Sequence, residues 1–474
     1  MKMLWNTHCI KKIKNNLFPS LSADGINVVD CYLRIMLFLY PLFVSGEYLF
    51  YVFTSKAFLY LLLTLLSVLL YLFSLSRKFV RYRSRFRQED LLLLFIALLL
   101  VGKIIVRIVQ RDPYYENDIF LVCLIGTYFL TGSLLVQGCG YYLKLILFAS
   151  LFWDIELLGY YLLGVEGFLG GKAMLQQPEA FASWLLLTIC ISTVLYCIER
   201  QKQWEWFFLG ISATEFFVIF FYNDMTVICL TGMILLVIPL VFEPTVTLIR
   251  KNLILCFCFL FILSNIPLIS AMVDGGFDRW NDLRYCIYLD ILLSIAGIFV
   301  STYWKKVPKD RDPELVLMKK FRYWYMWILT AAVIILFFCL LSGDRMNGLP
   351  ERLGKVTLEA FSILLLRSID SNTSFFQMLL ENYGIIGYGL WSILLLSFMR
   401  MIYIKWRKAN MIIKVYLFIS SLFLLQSFFY KFQPISTPLY IIIMTLALFT
   451  NGKKREILNN FLETSVIDEE NGKE

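Results

Sequence analysis

Between Ser342 and Phe376 the chain carries Asp344, Arg345, Glu351, Arg352, Lys355, Glu359, Arg367, Asp370, Asn372 and Ser374. They lie in a polar connection of roughly thirty-five residues, where loops beyond ~12–15 residues are uncommon and usually functional. Arginine stays charged and its planar fork binds two oxygens at once, which suits a diphosphate. On charges alone the simpler reading is a solvated, self-paired face, because basic and acidic residues alternate. The run RLGKVTLEAFSILLL sets Leu353, Val356, Leu358, Phe361, Leu364 and Leu365 at helical spacing. It reads as an amphipathic helix on or in the membrane surface, with Arg352, Lys355 and Glu359 on its polar face.

Other ionisable groups lie inside apolar runs, where each is expected to face a partner or a wet cavity. Lys103 and Arg107 are four apart, hence on one helix face. They read either as side chains snorkelling to the interface or as contacts for an anionic substrate. Asp154 and Glu156 point about 200° apart around a helix, so they cannot both line one cavity wall. Pairing with a basic neighbour is expected for Asp154, Glu156 and Asp290. Glu215 and Glu381 complete this set. The single histidine, His8, precedes the first apolar run, which removes imidazole from chemistry on the opposite side. The eleven cysteines fall in the runs or on the basic side, which argues against disulfides and a thiolate metal site. With no Walker loop, dinucleotide fingerprint, zinc motif or internal repeat, neither a metal nor a cofactor is expected.

The elements that must position these groups are transmembrane helices. At 59% hydrophobic and 17% aromatic, with a mean hydropathy of +0.71, the chain lies outside the range of soluble domains. The expected fold is all-α, a polytopic integral membrane bundle of about 12–14 spans. Apolar runs fall at 31–53, 57–76, 91–109, 119–136, 145–163, 179–198, 207–221, 225–242, 252–272, 283–303, 324–342, 378–400, 411–430 and 437–449. The pairs within 207–242 and 411–449 are short for a crossing of ~30 Å.

Counting these runs puts KKIKNN, the loop at 77–87, the loop at 305–322, Arg400 to Lys408 and the tail from GKKRE on one side. An excess of Lys and Arg marks that side as cytoplasmic, with both termini there. The connections at 111–118, 164–178, 273–282 and 342–376 fall on the other side and are mixed in charge. The net charge of +9 therefore serves topology, and no nucleic-acid partner is expected. The expected organisation is a cytoplasmic arm (1–30) with no cleaved signal, a bundle (31–342), a large extracytoplasmic connection (343–376), C-terminal spans (377–449) and a cytoplasmic tail (450–474).

SGDRMNGLPERLGKVTLEAF followed by SNTSFFQMLLENYGIIGYGLWSILLL resembles the C-terminal signature of the bacterial O-antigen ligase and polysaccharide repeat-unit polymerase (Wzy-type) family. In that signature an outer-loop Arg precedes a membrane-bound helix, and a His-Asn or Asp-Asn pair precedes a Gly-punctuated span. Arg352 matches the Arg best, with Arg345 as the other choice, and Gly384, Ile385 and Gly387 match the span. MLQQPEAFASWLLL at 174–187 and YNDMTVICLTGMILL at 222–236 are similar to two earlier family segments. The family's His falls on Ser371 or Thr373 and its Asn on Asn372 or Ser374; its mid-chain arginine is missing at 224–227 and its NxN pair has become Pro178 and Glu179.

The resemblance implies a polymerase joining oligosaccharide repeat units carried on polyprenyl diphosphate, at the outer face of the bacterial cytoplasmic membrane. Partners implied are that lipid-linked glycan, the bilayer, a flippase and a chain-length regulator. Arg352 and Arg345 would stabilise the leaving diphosphate, with Arg279, Arg367 and Lys355 as further phosphate contacts and Lys103 and Arg107 beside them. Asp370 would orient or deprotonate the attacking hydroxyl, with Glu381 and Asn372 nearby. A ligase of the O-antigen type and a lipid-linked oligosaccharide flippase are the alternatives. The flippase should show two similar halves lining a basic central cavity.

Overall fold

The expected apolar runs become helices wherever the computed structural model describes the chain: residues 28–43, 52–76, 88–110, 115–133, 140–163, 178–222, 225–242, 246–274, 375–407, 409–426, 433 and 435–449. In order they are α1 (Val28–Arg34), a π-helical segment (Ile35–Leu39), α2 (Tyr40–Leu42), α3 (Val52–Ser76), α4 (Gln88–Gln110) and α5 (Tyr115–Ser133). Then come α6 (Gly140–Leu163), α7 (Pro178–Ile198), α8 (Lys202–Tyr222), α9 (Met225–Val241) and α10 (Val246–Asp274). The last three are α11 (Phe375–Trp406), α12 (Met411–Gln426) and α13 (Thr437–Phe449). The runs expected at 283–303 and 324–342 lie outside the described residues, as do both terminal segments.

Pro41 explains the irregular first helix. It lacks an N–H and its ring collides with the carbonyl four residues back, so the preceding turn widens: Ile35–Leu39 is π-helical, and the Tyr40 N–H reaches back to Ile35 O. The Pro41 carbonyl then accepts the Trp153 Nε1–H of α6 at 3.2 Å. The widened turn thereby anchors α6.

Three of the described helices, at 90–110, 180–198 and 389–406, are long and apolar enough to cross a membrane. Shorter apolar helices occur at 58–73, 118–132, 230–241, 411–424 and 437–449. Burial sorts them: 89% of the apolar window of α7 is buried, against 17% for α4 and for α11. The central α7 packs against α6, α8, α9, α10 and α12, while a second centre at α5 packs against α1, α3, α4 and α13. The outer helices turn Leu62, Leu69, Leu98, Val109, Leu396 and Ile404 outward. A contiguous apolar belt of this kind is untenable in water and is what a helix presents to hydrocarbon. The short α13, thirteen residues and ~20 Å long by helical rise, falls short of ~30 Å. It needs no lipid contact, because nearly all its side chains are covered by protein.

Helix direction alternates. The Arg107 end of α4 meets Asp118 at the start of α5. The start of α7 meets the end of α12 and the start of α13 through Ser183, Gln426 and Ser436. Since α5 and α13 also share their C-terminal ends, through Tyr128 and Phe449 at 5.5 Å, all these groups belong to one end of the bundle, here the Asp118 end. At the opposite end Lys144 faces Glu199 at 4.0 Å and Lys251 faces Glu205 at 3.3 Å. Lys405 donates to Leu448 O at 2.6 Å there. This Glu199 end is where the described helices flanking 77–87 and the tail terminate, and where Arg400 to Arg407 lie. Arg400, Lys405 and Arg407 and the described helix ends that flank 77–87 thus share one end. The ends of α10 and α11 that flank residues 275–374 both point to the Asp118 end.

Close packing at the α5–α13 contact has a direct test. A Cβ on Gly132 would lie 2.9 Å from Phe449 Cε2 and 3.5 Å from Thr445 Cγ2. The terminal ring of Phe449 can yield to one carbon but not to a branched chain. Gly132→Leu is therefore expected to cost about 1–3 kcal/mol, read as a lower thermal unfolding midpoint in detergent, with Gly132→Ala milder.

Candidate functional site

At the Asp118 end, Lys103 and Arg107 share one face of α4, as their spacing requires, and that face packs on α5. Arg107 Nη1 lies 3.1 Å from Asp118 Oδ2, and Lys103 Nζ lies 3.9 Å from Asp118 Oδ1. The Asp118 side chain is 0% exposed, against 12% for Arg107 and 27% for Lys103. The two cations thus converge on one buried carboxylate. Such a trio can clamp the α4–α5 hairpin.

Deeper in the bundle a second polar cluster joins α6, α7 and α8. Glu215 is fully buried; its Oε1 accepts from Ser150 Oγ at 3.2 Å and its Oε2 from Ser192 Oγ at 2.6 Å. Thr188, one turn before Ser192, is a further hydroxyl at Glu215. Asp154 stands one turn beyond Ser150, is 1% exposed and lies beside Thr214 within the field of Glu215. Its Oδ2 has no hydrogen-bond partner. The expected basic partner of Asp154 is therefore replaced by a second acid: no Lys or Arg is among the described groups acting on either carboxylate. The reason is helix packing, which brings the polar stripes of three apolar helices together and leaves the cations at the ends. Glu156, two residues on, is only half-buried, as its opposite direction on the helix predicts.

Two hydroxyl networks complete the interior. Tyr32 Oη lies 3.1 Å from Thr64 Oγ1 and 2.9 Å from Thr127 Oγ1, and Tyr60 Oη lies 2.6 Å from Thr127 Oγ1. They tie α1, α3 and α5 together. At the Asp118 end, Gln426 donates to Ser183, which also bonds Ser436. These contacts satisfy polar groups that hydrocarbon would leave bare.

The other sequence-derived candidates, Arg279, Arg345, Arg352, Lys355, Arg367, Asp370 and Asn372, lie outside the described residues, as does Asp290. Glu381 lies on α11, in its first turns after the polar connection. No cluster of three or more His, Cys, Asp or Glu with metal-binding geometry occurs among the described residues. No family model, curated protein or solved structure matches the chain.

Proposed function

We propose that the chain is a membrane glycan polymerase. It joins oligosaccharide repeat units carried on polyprenyl diphosphate at the outer face of a bacterial cytoplasmic membrane, with both termini in the cytoplasm. The observation that carries this reading against transport is the distribution of charge. The described interior buries Asp90, Asp118, Asp154 and Glu215 and no Lys or Arg. An anionic diphosphate finds no cationic path through those helices. Most of the arginines assigned to it, Arg345, Arg352 and Arg367, belong to the 343–376 connection, which leads into α11. The resemblance of that connection to the ligase and polymerase signature assigns Arg352 and Arg345 to the diphosphate and Asp370 to the hydroxyl.

The catalysis asked of the protein is then electrostatic. The departing diphosphate gains charge as the glycosidic bond breaks, and preorganised guanidinium groups in a water-poor site stabilise that charge most. Arg367, Arg279 and Lys355 extend the clamp, and Asn372 and Glu381 border the hydroxyl. A ligase acting on a different acceptor would use the same parts.

The flippase reading draws support from one observation, the buried Asp154–Glu215 pair, since intramembrane carboxylates are common in ion-coupled transporters. A deletion strain separates the two. Repeat units that accumulate singly on the outer face, with long chains absent, are the expected result. Units retained on the cytoplasmic face would replace the polymerase reading with the flippase.

A further inference from the structure

We propose that Asp154 and Glu215 form a proton-binding site in the core of the bundle, with one proton held on Asp154 and the negative charge on Glu215. This inference does not depend on the polymerase reading.

The two carboxylates are both fully covered and of like sign. Two bare negative charges in one low-dielectric pocket repel strongly, and no described Lys or Arg stands near enough to balance either. The pair therefore takes up a positive charge from solution. The hydrogen bonds say where. An ionised carboxylate only accepts hydrogen bonds, and Glu215 receives hydroxyl donors on both oxygens, from Ser150 and Ser192. Asp154 has Thr214 beside it, yet its Oδ2 meets no partner although it is buried. A bare, ionised oxygen in that position is the costliest arrangement the site offers, whereas a protonated carboxyl is neutral.

The oxygens present do not suit a metal ion. Ca²⁺ takes six to eight oxygen ligands, and Mg²⁺ keeps an octahedral shell with several waters. Here the Ser192 and Ser150 hydrogens are already directed at Glu215. Among the described residues of the packed helices, Glu215 is the titratable group that acts on Asp154. The site has a mechanical consequence, because Asp154 is on α6, Glu215 on α8 and Ser192 on the central α7. Removing the proton would set two charges between α6 and α8 and favour their separation or the entry of water. Proton occupancy is thereby coupled to the packing of three core helices.

Infrared spectroscopy of the purified full-length chain in lipid nanodiscs tests this directly, because a protonated carboxyl has a C=O stretch that an ionised carboxylate lacks. The expected result is such a band in the wild type at neutral pH, lost in Asp154→Asn and kept in Glu215→Gln. In wild-type protein carrying ¹³C-aspartate the band should shift, and with ¹³C-glutamate it should not, so the assignment stands even if a variant fails to fold. A wild type without the band overturns the proposal, as does a band that follows the glutamate label. A band removed by adding sodium at constant pH would make the pair a sodium site and overturn it equally.

Discussion

Replacing Arg352 by lysine is expected to reduce long-chain polysaccharide about a hundredfold or more, with the protein still at its normal level in the membrane. The substitution keeps the positive charge and changes only its shape. A guanidinium grips two oxygens of a diphosphate in one plane, whereas an ammonium is a compact, strongly hydrated point charge that cannot reproduce that fork. If Arg352 lay on a solvated, self-paired face, lysine would serve as well and product would stay near normal. Chain-length analysis of the surface glycan, with immunodetection of the protein in the membrane fraction, reads both quantities in one strain. The same change at Arg345 decides between the two arginines that fit the family position, since the residue that grips the leaving group loses activity and a loop-surface arginine does not.

The helices were legible because hydrophobicity alone determines which segments leave water. Runs at 91–109, 145–163 and 179–198 became α4, α6 and α7 with ends shifted by a few residues. The short runs at 225–242 and 437–449 are helices too, and burial explains them: α13 is wrapped by other helices and need not match the bilayer. Arg400 and Lys405, which the sequence puts on the basic side, lie at the Glu199 end, whereas the basic segments at 305–322 and at both termini lie outside the described residues.

Which helices touch was not legible, and the acid pair depends on it. Asp154 and Glu215 come from different helices and are brought together by tertiary packing, about which hydropathy is silent. A weaker signal was nevertheless present. Ser150 and Asp154 are four residues apart on α6, Thr188 and Ser192 are four apart on α7, and Glu215 follows Thr214 on α8. Each of three apolar helices carries a narrow polar stripe, and such stripes seek one another because lipid cannot satisfy them. The partner of Lys103 and Arg107 was missed for a different reason. Asp118 belongs to RDPYYEND, which reads as a connecting loop, yet α5 begins at Tyr115 and takes Asp118 into its first turn.

Asp118→Asn separates a clamp from a substrate contact at that hairpin. Asparagine keeps the size of the side chain and removes its charge, so Lys103 and Arg107 would lose the carboxylate they share. Breaking a buried ion pair by removing one partner costs about 3–5 kcal/mol. Both cations retain some exposure and can swing toward water, which places the expected loss at the low end, about 3 kcal/mol. The readout is the thermal unfolding midpoint of the purified protein, with the yield in the membrane as a second measure. Lys103→Gln in the Asp118→Asn background should recover part of that loss, because it removes one of the two repelling charges. If the two cations served substrate alone, Asp118→Asn would leave the midpoint unchanged and strengthen anion binding by exposing more positive charge. A clamp and a substrate contact thus move stability in distinguishable ways: the clamp lowers it and is rescued by charge removal, whereas the contact leaves it where it was.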